Sequence, residues 1–80
     1  IFSYIELDEQ HAIIEVAVPE DWQGRSIGEL DIRRKYGVNI LGVKRENKTD
    51  VNISPETVLD ADMTLLVLGE NQKLKKHFRL

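Results

Sequence analysis

The residues best equipped for chemistry are the basic run Arg33, Arg34 and Lys35 and the nearby Asn39. The planar guanidinium of arginine forms paired, charge-assisted hydrogen bonds with phosphate. An asparagine amide offers both a donor and an acceptor, which also suits a cap or turn after Gly37. From the sequence alone, a solvated helix end that complements the helix dipole explains the basic run better than an anion-binding site does.

The other titratable residues are arranged less specifically. Asp60 and Asp62 are typical of a turn whose side chains bond the local backbone, with a cation site as the alternative. His11 and His77 lack the spacing of a zinc site, so we expect exposed or interface histidines and no bound metal. The sequence contains no glycine-rich phosphate loop or nucleophile elbow, so we do not expect an enzyme.

The composition predicts one soluble domain over residues 1–80. Hydrophobic residues make up 41% of the 80 positions, the formal net charge is -3 and there is no cysteine. A chain of this size buries only about 60% of the surface that it exposes when unfolded, and without cysteine it cannot form disulfides. Pairing with a second copy is therefore the readiest way to bury more apolar surface.

Several partners and locations are disfavoured by the same composition. The acidic balance argues against binding a nucleic acid polymer, and no apolar run is long enough for membrane insertion. The start of the chain lacks the features of a signal peptide, which predicts a cytoplasmic domain. Because Ile1 stands where an initiating Met is expected, the chain is interpreted as a fragment of a longer protein.

Two elements are expected to position the basic run. Alternating apolar residues predict a half-buried strand over His11 to Val18. A helix is predicted from Ser26 to Tyr36, because Ser26 and Glu29 have the spacing of a capping box and Gly37 suits the left-handed position that ends a helix.

The rest of the chain predicts mainly strands. The expected elements are a strand over Val38 to Arg45 with a bulge at Gly42, a hairpin turn over Glu46 to Asp50, a short strand over Val51 to Ile53, an extended segment at Val58 and Leu59, a buried strand over Met63 to Leu68, and an amphipathic helix within Glu70 to Leu80 with Asn71 as its cap. The predicted fold class is α+β, a small mixed, largely antiparallel β-sheet with two helices.

Three stretches resemble the C-terminal lobe of the regulator-of-conductance-of-potassium family, also called the TrkA-C domain. They are Pro19 to Leu30, Ile32 to Arg45 and Ile53 to Gly69. The last is similar to the family's pattern of a proline, a leucine, a small residue, an aspartate and an apolar strand ending in glycine. Ala61 departs from the glycine that many members carry, which affects only a turn.

The resemblance implies a function and a site. Domains of this family pair as homodimers, follow a nucleotide-binding lobe and regulate potassium channels or transporters at the inner face of the membrane. Arg33, Asn39 and Ile40 resemble the Ktr-type subset that binds cyclic di-AMP between two copies, and Ile27 and Pro55 would then line the adenine pockets. The resemblance thus predicts inhibition of potassium uptake by cyclic di-AMP, with no other cofactor.

Two other functions remain open from the sequence. The chain could be a ligand-free dimerisation module, with regulation confined to another lobe. It could also be a cation-sensing relative from a cation transporter or antiporter, in which Asp60 and Asp62 would hold the ion.

Overall fold

The fold is built on one antiparallel sheet of five strands, seen in a computed structural model that describes residues 1–79. The strand order is β1-β2-β7-β4-β5, and β3 and β6 form a separate two-stranded sheet. The strands are β1 Ser3–Glu6, β2 His11–Ala17, β3 Arg25–Ser26, β4 Asn39–Arg45, β5 Lys48–Asp50, β6 Val58–Leu59 and β7 Thr64–Glu70, and the helices are α1 Ile27–Leu30, α2 Ile32–Tyr36 and α3 Asn71–Phe78.

The hydrophobic core lies between one face of this sheet and the helices. In β2 and β7 every second residue is buried, because successive side chains of a strand point to opposite faces. The largest fully buried side chains are Ile14, Leu30, Val38, Leu59, Leu65, Val67 and Leu74. Burying each of them contributes about 1.5–3 kcal/mol, so these positions hold the helices against the sheet.

The helix predicted over Ser26 to Tyr36 is interrupted at Asp31. There the backbone is left-handed, with φ 51° and ψ 51°, which separates α1 from α2. At the start of α1 the predicted cap is present, since the Glu29 amide donates to Ser26 Oγ at 3.1 Å, but the Glu29 carboxylate contacts Arg25 instead of returning to the cap. Gly37, with φ 70°, ends α2 as predicted.

The hairpin after β4 is tighter than predicted. Glu46 and Asn47 both have positive φ, of 52° and 63°, which is the geometry of a two-residue turn. Such a turn starts the return strand at once, so pairing occupies Lys48–Asp50. The strand predicted over Val51 to Ile53 was therefore wrong. The bulge predicted near Gly42 is confirmed by a register shift between Ile40 and Gly42.

The turn between β1 and β2 is hydrogen-bonded to the start of α3. β1, which was not predicted, forms a hairpin with β2. The predicted C-terminal helix is present as α3, but Asn71 as its cap was wrong, because Glu70 holds that position. Asn71 instead donates from its backbone to the Gln10 carbonyl at 2.7 Å and from its side chain to the Glu9 carbonyl at 3.2 Å. Leu80, the last residue of the predicted segment, lies outside the described residues.

The α+β class, with an antiparallel sheet and helices on one face, agrees with the prediction. Across residues 1–79, no helix has the length and apolar composition needed to cross a bilayer.

Candidate functional site

A cavity of about 260 Å³ brings together all five residues that the sequence singled out. Its walls are α1, α2, the beginning of β4 and the loop before β6. The residues that line it are Ile27, Gly28, Asp31, Ile32, Arg33, Val38, Asn39, Ile40 and Pro55. Residues from three separate parts of the sequence therefore converge on one concave surface.

Backbone hydrogen bonds hold the Pro55 wall against α1. The Ile27 amide donates to the Thr57 carbonyl at 2.9 Å, and the Gly28 amide donates to the Pro55 carbonyl at 2.8 Å. A Cβ atom at Gly28 would lie 3.0 Å from Pro55 Cβ and from the Pro55 oxygen, which is closer than side chains normally pack. Glycine thus permits the close approach that closes this side of the cavity.

The break at Asp31 gives the two arginines of α2 different environments. Arg34 forms an ion pair with the Asp31 carboxylate. Arg33 lines the cavity, is exposed, and makes no ion pair with any residue in 1–79. The guanidinium of Arg33 is free to bind an anion, whereas that of Arg34 is already paired with a carboxylate.

The turn at Gly37 connects Arg33 to the polar group on β4. The Gly37 amide donates to the Arg33 carbonyl at 3.0 Å, and the left-handed glycine then reverses the chain into β4. Asn39 and Ile40 at the start of β4 are half-buried in the cavity wall. The cavity combines an apolar lining with one unpaired cation and one amide, a combination suited to a ligand with a flat ring and a phosphate.

Sequence reasoning missed Gly28 and Asp31 as parts of this site. Gly28 lies inside the recognised capping motif, but the signal for its role is a tertiary contact with Pro55, 27 positions away in the sequence. Asp31 carried no local signal for a left-handed backbone, since such a conformation is uncommon for residues other than glycine.

The acidic pair near the end of the chain has a different role from the one predicted. Arg45 bonds Asp60 at 2.8 Å and Asp62 at 3.1 Å, so the expected bonds from these carboxylates to the local backbone were wrong. The hydrogen bond and charge of Asp62, followed by those of Asp60, raise the pKa of Arg45. Within residues 1–79, no group of three or more His, Asp or Glu side chains is placed to hold a metal ion.

The two histidines lie apart and contact different groups. His11 Nδ1 lies 2.9 Å from Asp8 Oδ1 in the exposed β1–β2 turn. His77 in α3 packs edge-on against Tyr36, with ring centroids 5.0 Å apart. Burial, and then the positive charges of Lys76 and Lys73, lower the pKa of His77.

A larger open depression, of about 740 Å³, lies between the start of the chain, the end of β2 and the end of α3. It contains none of the five residues identified from the sequence. We take the smaller cavity as the candidate site because its lining provides a free cation beside an apolar wall.

Comparisons with known proteins agree with this fold. The family model described as the TrkA-C domain matches residues 12–80. Ktr system potassium uptake protein C of Bacillus subtilis strain 168 is 33% identical over 69 residues, which make up 86% of this chain and 31% of that protein. The chain thus spans about a third of the length of the curated relatives it matches.

Two solved structures share this fold over most of the chain. The RCK C domain of the potassium transport protein KtrA, in complex with cyclic di-AMP, has a TM-score of 0.75 and 33% identity, and the match covers 82% of this chain and 78% of that one. An RCK_C domain dimer of BusR from S. agalactiae, also in complex with cyclic di-AMP, has a TM-score of 0.67 and 25% identity over 88% of this chain and 96% of that one. The chain belongs to the TrkA-C domain family.

Proposed function

We propose that this chain is a regulatory domain that binds cyclic di-AMP between two copies of itself and thereby lowers potassium uptake by a transporter. One observation carries the proposal: Ile27, Arg33, Asn39, Ile40 and Pro55, the residues expected to hold this ligand, line a single cavity. The similar KtrA domain in complex with cyclic di-AMP supports it.

The size and openness of the cavity favour a shared site. Cavities that enclose a whole ligand measure about 300–1,000 Å³, and this one is smaller, at about 260 Å³. Cyclic di-AMP has two adenines and two phosphates related by a two-fold axis. A two-fold dimer can hold the two halves with the same residues from each copy, so each chain needs to supply only half of the site.

Each side chain has a role that its chemistry supports. Arg33 would bind a phosphate through its unpaired guanidinium, and Asn39 would bond a base edge or a ribose hydroxyl. Ile27, Ile40 and Pro55 would pack against the adenine ring. Arg34 lies next to Arg33 but is already bound to Asp31, so it contributes little to the ligand.

Inhibition requires that the dimer have two arrangements with different affinities for cyclic di-AMP, because a ligand shifts an equilibrium only by that difference. A ligand in contact with both copies fixes their relative placement. In a longer protein, that change would reach the membrane subunit of the transporter through the lobes attached to each copy.

The proposal is tested by comparing two neighbouring arginines. We expect Arg33→Ala to weaken cyclic di-AMP binding by at least 100-fold, because each dimeric site loses two charge-assisted contacts worth about 1.5–3 kcal/mol apiece. Arg34→Ala, which removes an equal charge from the adjacent position, should bind within about threefold of wild type. Calorimetric titration measures both constants, with cyclic di-GMP as the ligand control.

Other outcomes of this titration identify the rival functions. Absence of binding to wild-type protein would contradict the proposal and leave a dimerisation module. A response to divalent cations that is lost when Asp60 and Asp62 are neutralised would instead indicate a cation sensor. Equal losses in both arginine variants would show that only net charge matters, which contradicts a specific contact from Arg33.

A further inference from the structure

The wall of the cavity that carries Pro55 is a short turn at the surface. Ser54, Pro55 and Glu56 are all exposed, and the next fully buried side chain along the chain is Leu59. The chain enters the turn from Ile53, which is only partly buried against the core. Packing of side chains therefore gives this turn little support, and its position depends on hydrogen bonds.

Thr57 closes the turn with three hydrogen bonds. Its amide donates to the Ser54 carbonyl at 3.0 Å, and its Oγ1 accepts from the Ser54 amide at 3.0 Å. Its carbonyl accepts from the Ile27 amide at 2.9 Å. One residue thus joins the two ends of the turn to each other and to the first residue of α1.

The hydroxyl of Thr57 is the part of this arrangement that depends on residue type. The backbone amide and carbonyl of a residue are present whatever side chain it carries, proline excepted for the amide. The other side-chain bond of the turn, from the Glu56 amide to Ser54 Oγ, is longer, at 3.3 Å. The Thr57 hydroxyl is therefore the side-chain group that contributes most to the shape of the turn.

Thr57 lies between two residues of the candidate site. Of the described residues that line the cavity, Ile27 and Pro55 flank Thr57, which is not itself one of them. The Gly28 amide donates to the Pro55 carbonyl at 2.8 Å, so the turn is already in close contact with α1. The position of the turn therefore sets the distance between the two apolar walls formed by Ile27 and Pro55.

We propose that Thr57 is a positioning residue, whose hydroxyl holds Pro55 against α1 so that the apolar wall exists before the ligand binds. The inference rests on the function proposed above. A wall that is already ordered loses little conformational freedom on binding, so more of the contact energy appears as affinity. Because two copies would share one ligand, each site would contain two such turns.

The first test is calorimetric titration of the 80-residue chain with cyclic di-AMP. We expect Thr57→Val, which keeps the shape of the side chain but removes the hydroxyl, to weaken binding about tenfold, because a shared site loses one hydrogen bond in each copy. Thr57→Ser keeps the hydroxyl and should bind within about twofold of wild type. Thr49→Val is the matched control, because Thr49 is exposed in β5 and lies outside the cavity lining.

A double-mutant cycle tests whether Thr57 acts through Pro55. Pro55→Ala removes most of the wall that Thr57 is proposed to position. Adding Thr57→Val to Pro55→Ala should therefore weaken binding by less than about twofold more, since residues that act as one unit are not additive. Equal losses from Thr57→Val in the two backgrounds would overturn the proposal.

Hydrogen exchange of the Gly28 amide tests the same inference without nucleotide. Because this amide donates to the Pro55 carbonyl, Thr57→Val should speed its exchange. The Leu65 and Val67 amides, in a strand that is paired on both sides, should keep their wild-type rates. Unchanged exchange at Gly28 would overturn the proposal.

These measurements separate failure of the positioning role from failure of the proposed function. Wild-type protein that binds no cyclic di-AMP would contradict the proposed function, and exchange at Gly28 would then decide the role of Thr57. Wild-type affinity in Thr57→Val, or equally weak binding in Thr57→Ser, would overturn the positioning role alone. Thr57→Ala removes the same hydroxyl and replaces Thr57→Val if circular dichroism shows that the valine variant does not fold.

Discussion

Arg33 and Arg34 are adjacent in the sequence and differ in what they contact. Arg34 bonds the Asp31 carboxylate, while Arg33 lines the cavity without an ion pair among residues 1–79. From residue type alone the basic run favoured a solvated helix end, and only the family resemblance distinguished Arg33 from Arg34. The difference in their contacts depends on the left-handed backbone at Asp31, for which the sequence carried no signal.

The pKa of His77 predicts how stability changes with pH. Burial and the charges of Lys76 and Lys73 hold this pKa below its usual value, so the unfolded chain binds a proton more readily than the folded one. Stability should therefore fall as the pH is lowered through about 6.5, the unfolded value, towards the lower folded value. At pH values above that range His77 is uncharged in both states, and the folded protein keeps its full stability.

Substitution at this position isolates the contribution. We expect His77→Gln to flatten the pH dependence of unfolding free energy between about pH 7.5 and 5.5. Lys75→Gln, at an exposed site of the same helix, should retain the wild-type slope. The measurement is urea denaturation at a series of pH values, and a wild-type slope in His77→Gln would refute the assignment.

At the scale of elements, the strands that build the core were predictable and the edge strands were not. β2 and β7 alternate between buried and less buried residues, and this pattern is visible in the sequence. β1 gave no such signal, because its apolar residues are exposed on both faces. The prediction placed the third strand too late in the chain because the start of β5 depends on the type of turn before it. That type is set by the positive φ angles of Glu46 and Asn47, which these residue types do not predict.

The turn between β4 and β5 offers a stabilising substitution. Glu46 holds a φ of 52°, a left-handed conformation that asparagine adopts more readily than glutamate. We expect Glu46→Asn to raise the free energy of unfolding by about 0.5–1 kcal/mol, measured by urea denaturation with an unchanged m-value. Glu46→Gln removes the same charge without that backbone preference. An equal gain in Glu46→Gln would attribute the effect to charge and not to the turn.

At the scale of the whole molecule, the site depends on contacts between distant segments. The family resemblance identified Ile27, Arg33, Asn39, Ile40 and Pro55 as a set, and all five line one cavity. The depth of the cavity and the wall formed by Gly28 against Pro55 come from packing of the helices and the loop on the sheet. No spacing within the sequence contains that information.

The central claim is that one cyclic di-AMP is shared by two chains, and its most direct test is the binding stoichiometry. Calorimetric titration of cyclic di-AMP into the wild-type chain should give one ligand for every two chains, because each copy supplies half of the site. One ligand per chain, or no heat at all, would contradict the account.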